Sequence, residues 1–136
     1  MRLLQTTWPR AIGLLLFAGL FIAACLYHFR EADGFAAMLP DLVPLRLQIV
    51  YATGILELIL AILLLLPQTR RRAGIWTAIY LVLIFPANIY AAIYGIPAPG
   101  QDETSQTALW IRLLFQPLLV WWVLWASRLP TRRARR

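Results

Sequence analysis

A chain of 136 residues that is 61% hydrophobic and 14% charged has too little polar surface to shield its own core from water. Its net charge is +7, carried by Arg with no Lys, and the single Cys25 excludes an intramolecular disulfide, a CxxC redox pair and a thiolate metal cluster. An independent soluble enzyme is excluded with them. A nucleic-acid partner is not expected either, because the cations stand at the ends of apolar blocks and are not interleaved with aromatic side chains.

The apolar residues form four long blocks. The first covers residues 11–28 and is uncharged, with Arg2 and Arg10 before it. Within it, Ile22-Ala23-Ala24-Cys25 resembles a lipoprotein cleavage box. Cleavage there would leave three spans and set the C-terminal Arg cluster against the topology. Cys25 therefore reads as a small residue packed in a helix.

In the connection from His28 to Arg46, residues Phe35, Met38, Leu39 and Leu42 fall at i, i+3, i+4 and i+7, with Pro40 and Pro44 interrupting them. That spacing predicts a short helix with one apolar face, lying on the outer membrane surface and capping the bundle.

The second block, 47–66, carries Glu57. A short Pro67–Ala73 turn makes the second and third spans antiparallel neighbours. The third block, 74–95, contains Pro86 and Asn88, and a plain outer loop follows from Ile96 to Thr107. The fourth block, 108–127, contains Arg112, Gln116 and Pro117, and a basic tail covers 128–136.

Each block is close to the roughly 20 residues that cross a hydrocarbon core as a helix, and continuous rather than alternating apolarity argues against strands. In lipid a helix satisfies its own backbone, so the expected fold is all-α: an integral membrane four-helix bundle in one domain, with a short outer-surface segment between the first two spans.

Arg2, Arg10, Arg70–Arg72, Arg128, Arg132, Arg133, Arg135 and Arg136 share one side with no acid. The other side holds Arg30, Arg46 and Arg112 against Glu31, Asp33, Asp41, Asp102 and Glu103. The positive-inside rule places the first side, with both termini, in the cytoplasm of a cell whose inner or plasma membrane holds the chain. Trp76, Tyr94, Trp110 and Trp125 sit near block ends, as interfacial aromatics do.

The intramembrane polar residues are the candidate site. An acid at mid-membrane costs at least ~2.5–3.5 kcal/mol on insertion scales, and Glu57 lies roughly 15 Å into its span. Thr53, Gly54 and Ala61 share its helical face, and such small residues let another helix approach. Pro86 and Pro117 free the carbonyls of Val82 and Leu113. Asn88, Arg112 and Gln116 lie in the outer half with Glu57 as floor, and His28 ends the first span on the same side. These groups either form a ligand site or an interhelical network in which Glu57 bonds Asn88 or Gln116 and Arg112 neutralises an acid. With one His and no acid at ligand spacing beside it, no metal site is expected.

Taken together, the motifs are similar to those of the DoxX-like family of small bacterial and archaeal membrane proteins. They are His28-Phe29, the spacing of Pro40 and Pro44, Gly54-Ile55-Leu56-Glu57, Leu65-Leu66-Pro67-Gln68-Thr69-Arg70-Arg71, Phe85-Pro86-Ala87-Asn88-Ile89-Tyr90, and Trp110-Ile111-Arg112-Leu113 with Gln116-Pro117. Members often have Pro where this chain has Leu114 and Met where it has Ala91. The resemblance implies a four-helix bundle and an association with quinol-oxidising complexes or with membrane responses to oxidative stress.

The first functional expectation is therefore a redox-associated accessory subunit, not an enzyme on its own. It would bind a quinone or similar lipid-soluble ligand through Glu57, Asn88, Arg112, Gln116 and His28. The alternatives are a non-catalytic scaffold or assembly partner and a small-solute or proton carrier. Expected partners are the bilayer and, within it, another protein or further copies of the chain.

Overall fold

The computed structural model describes residues 6–128. Arg2, Arg132, Arg133, Arg135 and Arg136, and with them all but the first residue of the basic tail, lie outside the described residues.

The chain is all-helical, with α1 at Trp8–Arg30, α2 at Ala32–Ala37, α3 at Arg46–Leu65, α4 at Arg70–Tyr94 and α5 at Gln106–Ala126. Four of these, α1, α3, α4 and α5, are long and apolar enough to cross a membrane. Their outward faces are apolar too: Leu16, Ile59, Ile79, Leu83 and Leu118 are all well exposed. Such a surface suits hydrocarbon and would drive aggregation in water. The protein is a multi-pass membrane four-helix bundle.

Local signals set the helix ends. Thr7 is extended and Pro9 stands in the first turn of α1, where a missing N–H costs nothing. The Ser105 side chain caps α5 by accepting from the Ala108 N–H at 3.3 Å. Gly95 ends α4 at φ 62, and the Ile96 N–H returns to the Ala91 carbonyl at 2.9 Å.

Two boundaries differ from the sequence reading. Arg70–Arg72 form the first turn of α4 instead of a loop. Arg70 is 1% exposed: its Nε donates to the Leu64 carbonyl and a terminal guanidinium nitrogen to Leu65, both at 3.0 Å. A cation thereby satisfies the last carbonyls of α3 at the negative end of its dipole. Arg70 is thus a helix cap as well as a topology signal. The second difference concerns the outer segment. Helix α2 stops at Ala37, so Met38 stays buried while Leu42, beyond Pro40, is 95% exposed. Proline cannot continue the helix, and the i+7 position rotates off the apolar face.

Helix α1 packs chiefly on α3 and α4 chiefly on α5, giving two antiparallel pairs. The pairs press together at the Arg-rich end. There Leu14, Phe17, Phe21, Leu64, Leu81 and Val123 form a closed core, and Trp122 Nε1 donates to the Gly13 carbonyl at 2.9 Å. Trp125 packs against Gly13 on this seam, whereas Trp76, Tyr94 and Trp110 are exposed as interfacial aromatics. Toward the loop end the pairs part, and the bundle is hollow.

Candidate functional site

The hollow is a cavity of about 680 Å³ between the two helix pairs, within the ~300–1,000 Å³ range of small-molecule sites. The five candidate residues, His28, Glu57, Asn88, Arg112 and Gln116, all line it. Its other walls are mostly apolar, including Phe21, Val50, Ile84 and Leu119.

Its outer end is covered by Phe35 of α2 and by Met38, Leu39, Pro40 and Val43, with Val43 where the sequence reading had Leu42. This cover is held from outside: the Tyr27 hydroxyl donates to the Pro99 carbonyl at 2.6 Å, and a Cβ on Gly34 would meet Pro99 at 2.9 Å. At the seams between the pairs, Leu20, Ile49, Leu83 and Phe115 both line the cavity and face outward. There the wall is a single side chain thick. A second hollow, about 440 Å³ between α2 and the start of α3, is an open groove beside Asp33, Arg46 and Gln48 and lies apart from the intramembrane polar groups.

The polar residues form two groups, not one. In the first, Tyr80 Oη donates to Glu57 Oε1 at 2.6 Å. Glu57 Oε2 lies 3.2 Å from His28 Nδ1. That nitrogen is 2.8 Å from the Ala24 carbonyl oxygen, which can only accept, so Nδ1 carries a proton aimed at Ala24. Oε2 falls outside the N–H direction and has no donor. Proximity to His28 is therefore real, but a hydrogen bond from it is not formed.

Gly54 makes this proximity possible, since a Cβ there would stand 3.0 Å from His28 Cβ. One turn along the same face, Glu57 then meets α1 where its His28 turn is closest. Phe35 stacks on the His28 ring, centroids 3.9 Å apart at 13°, and tethers the outer cover to this group.

In the second group, Asn88 Nδ2 donates to Gln116 Oε1 at 3.1 Å, and Gln116 Nε2 donates to the Leu81 carbonyl at 2.8 Å. A terminal nitrogen of Arg112 reaches Asn88 Oδ1 at 3.5 Å. Pro86 stands one turn beyond Leu81. The carbonyl that Gln116 engages is therefore that of Leu81, not that of Val82, because Leu81 faces the interior and Val82 faces out.

Two network expectations are corrected. Glu57 bonds Tyr80, not Asn88 or Gln116, and Arg112 has no acid within ion-pair distance among the described residues. Tyr80 was missed because a Tyr inside an apolar run carries no sign of where its hydroxyl points. Cys25 is buried in α1. Among the described residues no three His, Cys, Asp or Glu side chains gather as a metal site would need.

Residues 17–127 match the family described as Domain of unknown function (DUF8561). The chain belongs to this family. The matched stretch includes every residue of both polar groups and the outer cover, so the cavity falls within the family's domain. No curated protein and no solved structure matches the chain.

Proposed function

We propose that the protein binds a lipid-soluble molecule with a polar head, of the quinone or quinol class, and serves as an accessory subunit of a membrane redox system. One observation carries the reading. A ligand-sized, largely apolar cavity inside a membrane bundle gathers Arg112, Asn88 and Gln116 on one side and His28, Glu57 and Tyr80 on the other. Keeping a guanidinium without an acid partner, and an acid with a single hydrogen-bond donor, for packing alone is a poor use of stability in lipid, where interhelical hydrogen bonds average ~0.6 kcal/mol.

Arg112 supplies a donor for a carbonyl or anionic oxygen, and the apolar walls suit a ring and the start of a tail. The thin seams at Leu83 and Phe115 favour exchange with the bilayer. One His and no haem-type pair mean that electrons move elsewhere, hence an accessory role beside a catalytic partner. The DoxX-like resemblance is part of this proposal, as are placement in the inner or plasma membrane and a cytoplasmic Arg-rich end. Arg10, Arg71, Arg72 and Arg128 at one end of the bundle support that orientation.

The test is mass spectrometry of lipid extracts and co-purifying proteins from gently purified protein, with Glu57→Gln and Glu57→Leu beside wild type. A near-stoichiometric quinone, retained by wild type and depleted in both variants while each stays folded, is the expected result. A protein partner with no ligand, and a Glu57→Gln variant indistinguishable from wild type, would replace this reading with the scaffold.

A further inference from the structure

The two nitrogens of His28 face different worlds. Nδ1 is committed to the Ala24 carbonyl at 2.8 Å, and the carboxylate of Glu57 stands 3.2 Å behind it. One ring face is covered by Phe35. On the opposite edge, Nε2 makes no hydrogen bond among the described residues, and it is not among the atoms sealed off without a partner, although the residue as a whole is only 9% exposed. His28 is part of the cavity wall, and with Nδ1 engaged Nε2 is the ring nitrogen it can offer there. With the proton held on Nδ1, neutral Nε2 presents a lone pair and no hydrogen.

The carboxyl and amide oxygens that line the cavity are engaged or enclosed. Glu57 Oε1 is taken by Tyr80, and Oε2 is buried behind the imidazole. Gln116 Oε1 and Asn88 Oδ1 are taken by Asn88 and Arg112. The Arg112 side of the cavity offers donors. The His28 side offers an open nitrogen acceptor, with the Glu57 carboxyl beside the other ring nitrogen.

We infer that His28 Nε2 selects the ligand by accepting a hydrogen bond from a hydroxyl on its head ring, so that the cavity takes a phenol or hydroquinone in preference to the same ring lacking that O–H. This rests on the proposed cavity ligand and adds the chemical form that is bound.

The experiment uses the full chain in lipid nanodiscs and two redox-inert probes, a 4-alkylphenol and its methyl ether, with partitioning into empty nanodiscs subtracted. The chain contains one His, so ¹⁵N-histidine labelling gives one Nδ1 and one Nε2 resonance. Wild type should bind the phenol about tenfold more tightly than the ether, the ratio expected from one hydrogen bond to an otherwise unpaired acceptor. The phenol should move the Nε2 resonance and leave Nδ1 nearly in place. His28→Phe, which keeps an aromatic ring against Phe35, should bring the ratio within twofold.

A wild-type ratio below twofold, or a bound phenol that leaves Nε2 unmoved, overturns the inference even if His28→Phe fails to fold. In that case binding of both probes would leave the cavity reading standing. Binding of neither would remove both.

Discussion

Replacing Tyr80 with Phe removes a single oxygen from the boundary between the packed and hollow halves of the bundle. Tyr80 is 6% exposed and Glu57 4%, and their contact at 2.6 Å is the one hydrogen bond that reaches the carboxyl group. Since Glu57 Oε2 already lacks a donor among the described residues, Tyr80→Phe leaves both oxygens without a protein donor. Orphaning a buried acceptor costs about 1–3 kcal/mol in soluble proteins, whereas interhelical bonds in membranes average ~0.6 and reach ~1.7. The membrane average includes pairs whose members find other partners in the unfolded state or in place. Glu57 has no second donor in place, so the upper part of the membrane range applies, at about 1.5 kcal/mol. In the Glu57→Leu background the hydroxyl is itself the orphan, and removing it should cost little or nothing. The assay is a double-mutant cycle on reversible unfolding in bicelles, followed by circular dichroism. A coupling energy below about 0.5 kcal/mol would refute the claim that Tyr80 is the principal partner of Glu57.

Gly54→Ala and Gly19→Ala should move stability in opposite directions. A Cβ at Gly19 meets nothing within 4 Å, so the helix-propensity gain of up to about 1 kcal/mol is kept. A Cβ at Gly54 meets His28 Cβ at 3.0 Å, which the backbone cannot easily relieve, and a net loss of about 1 kcal/mol in unfolding free energy is expected. Equal effects would show that α1 and α3 do not cross there. Arg70→Ala should cost about 2 kcal/mol through the lost cap on Leu64 and Leu65, with Lys restoring less than half because it cannot span both carbonyls. Exposed Arg71→Ala and Arg72→Ala should stay within about 0.5 kcal/mol of wild type, and three equal losses in the same unfolding assay would point to charge rather than capping. For orientation, a reporter fused after Arg136 should be active in the cytoplasm and one near Gln101 on the opposite side; a C-terminal reporter active outside would reverse the topology.

The sequence alone determined that the chain is a membrane bundle, where its spans lie, which ends carry the positive charge, and which side chains are costly to keep in lipid. Those are properties of runs and counts: a helix that satisfies its own backbone needs only length and apolarity to cross a bilayer. Placing Asn88, Arg112 and Gln116 in the outer half above Glu57, with His28 ending its span on the same side, followed in turn from the rise per residue, and Gly54 was legible as a close-approach position from its place on the face of Glu57.

Rotation and partner choice were not legible, because spans that are apolar nearly all round carry little directional signal. Tertiary structure therefore decided that Tyr80 meets Glu57 and that Gln116 takes the Leu81 carbonyl. It also decided that Arg70 turns inward to cap α3 and that Leu42 leaves the face its spacing had assigned to it. The cavity itself belongs to the same class of facts. It exists because the helix pairs meet through Gly13, Trp122 and Trp125 at one end and part at the other, and a void between helices is a property of their relative placement that no single span encodes.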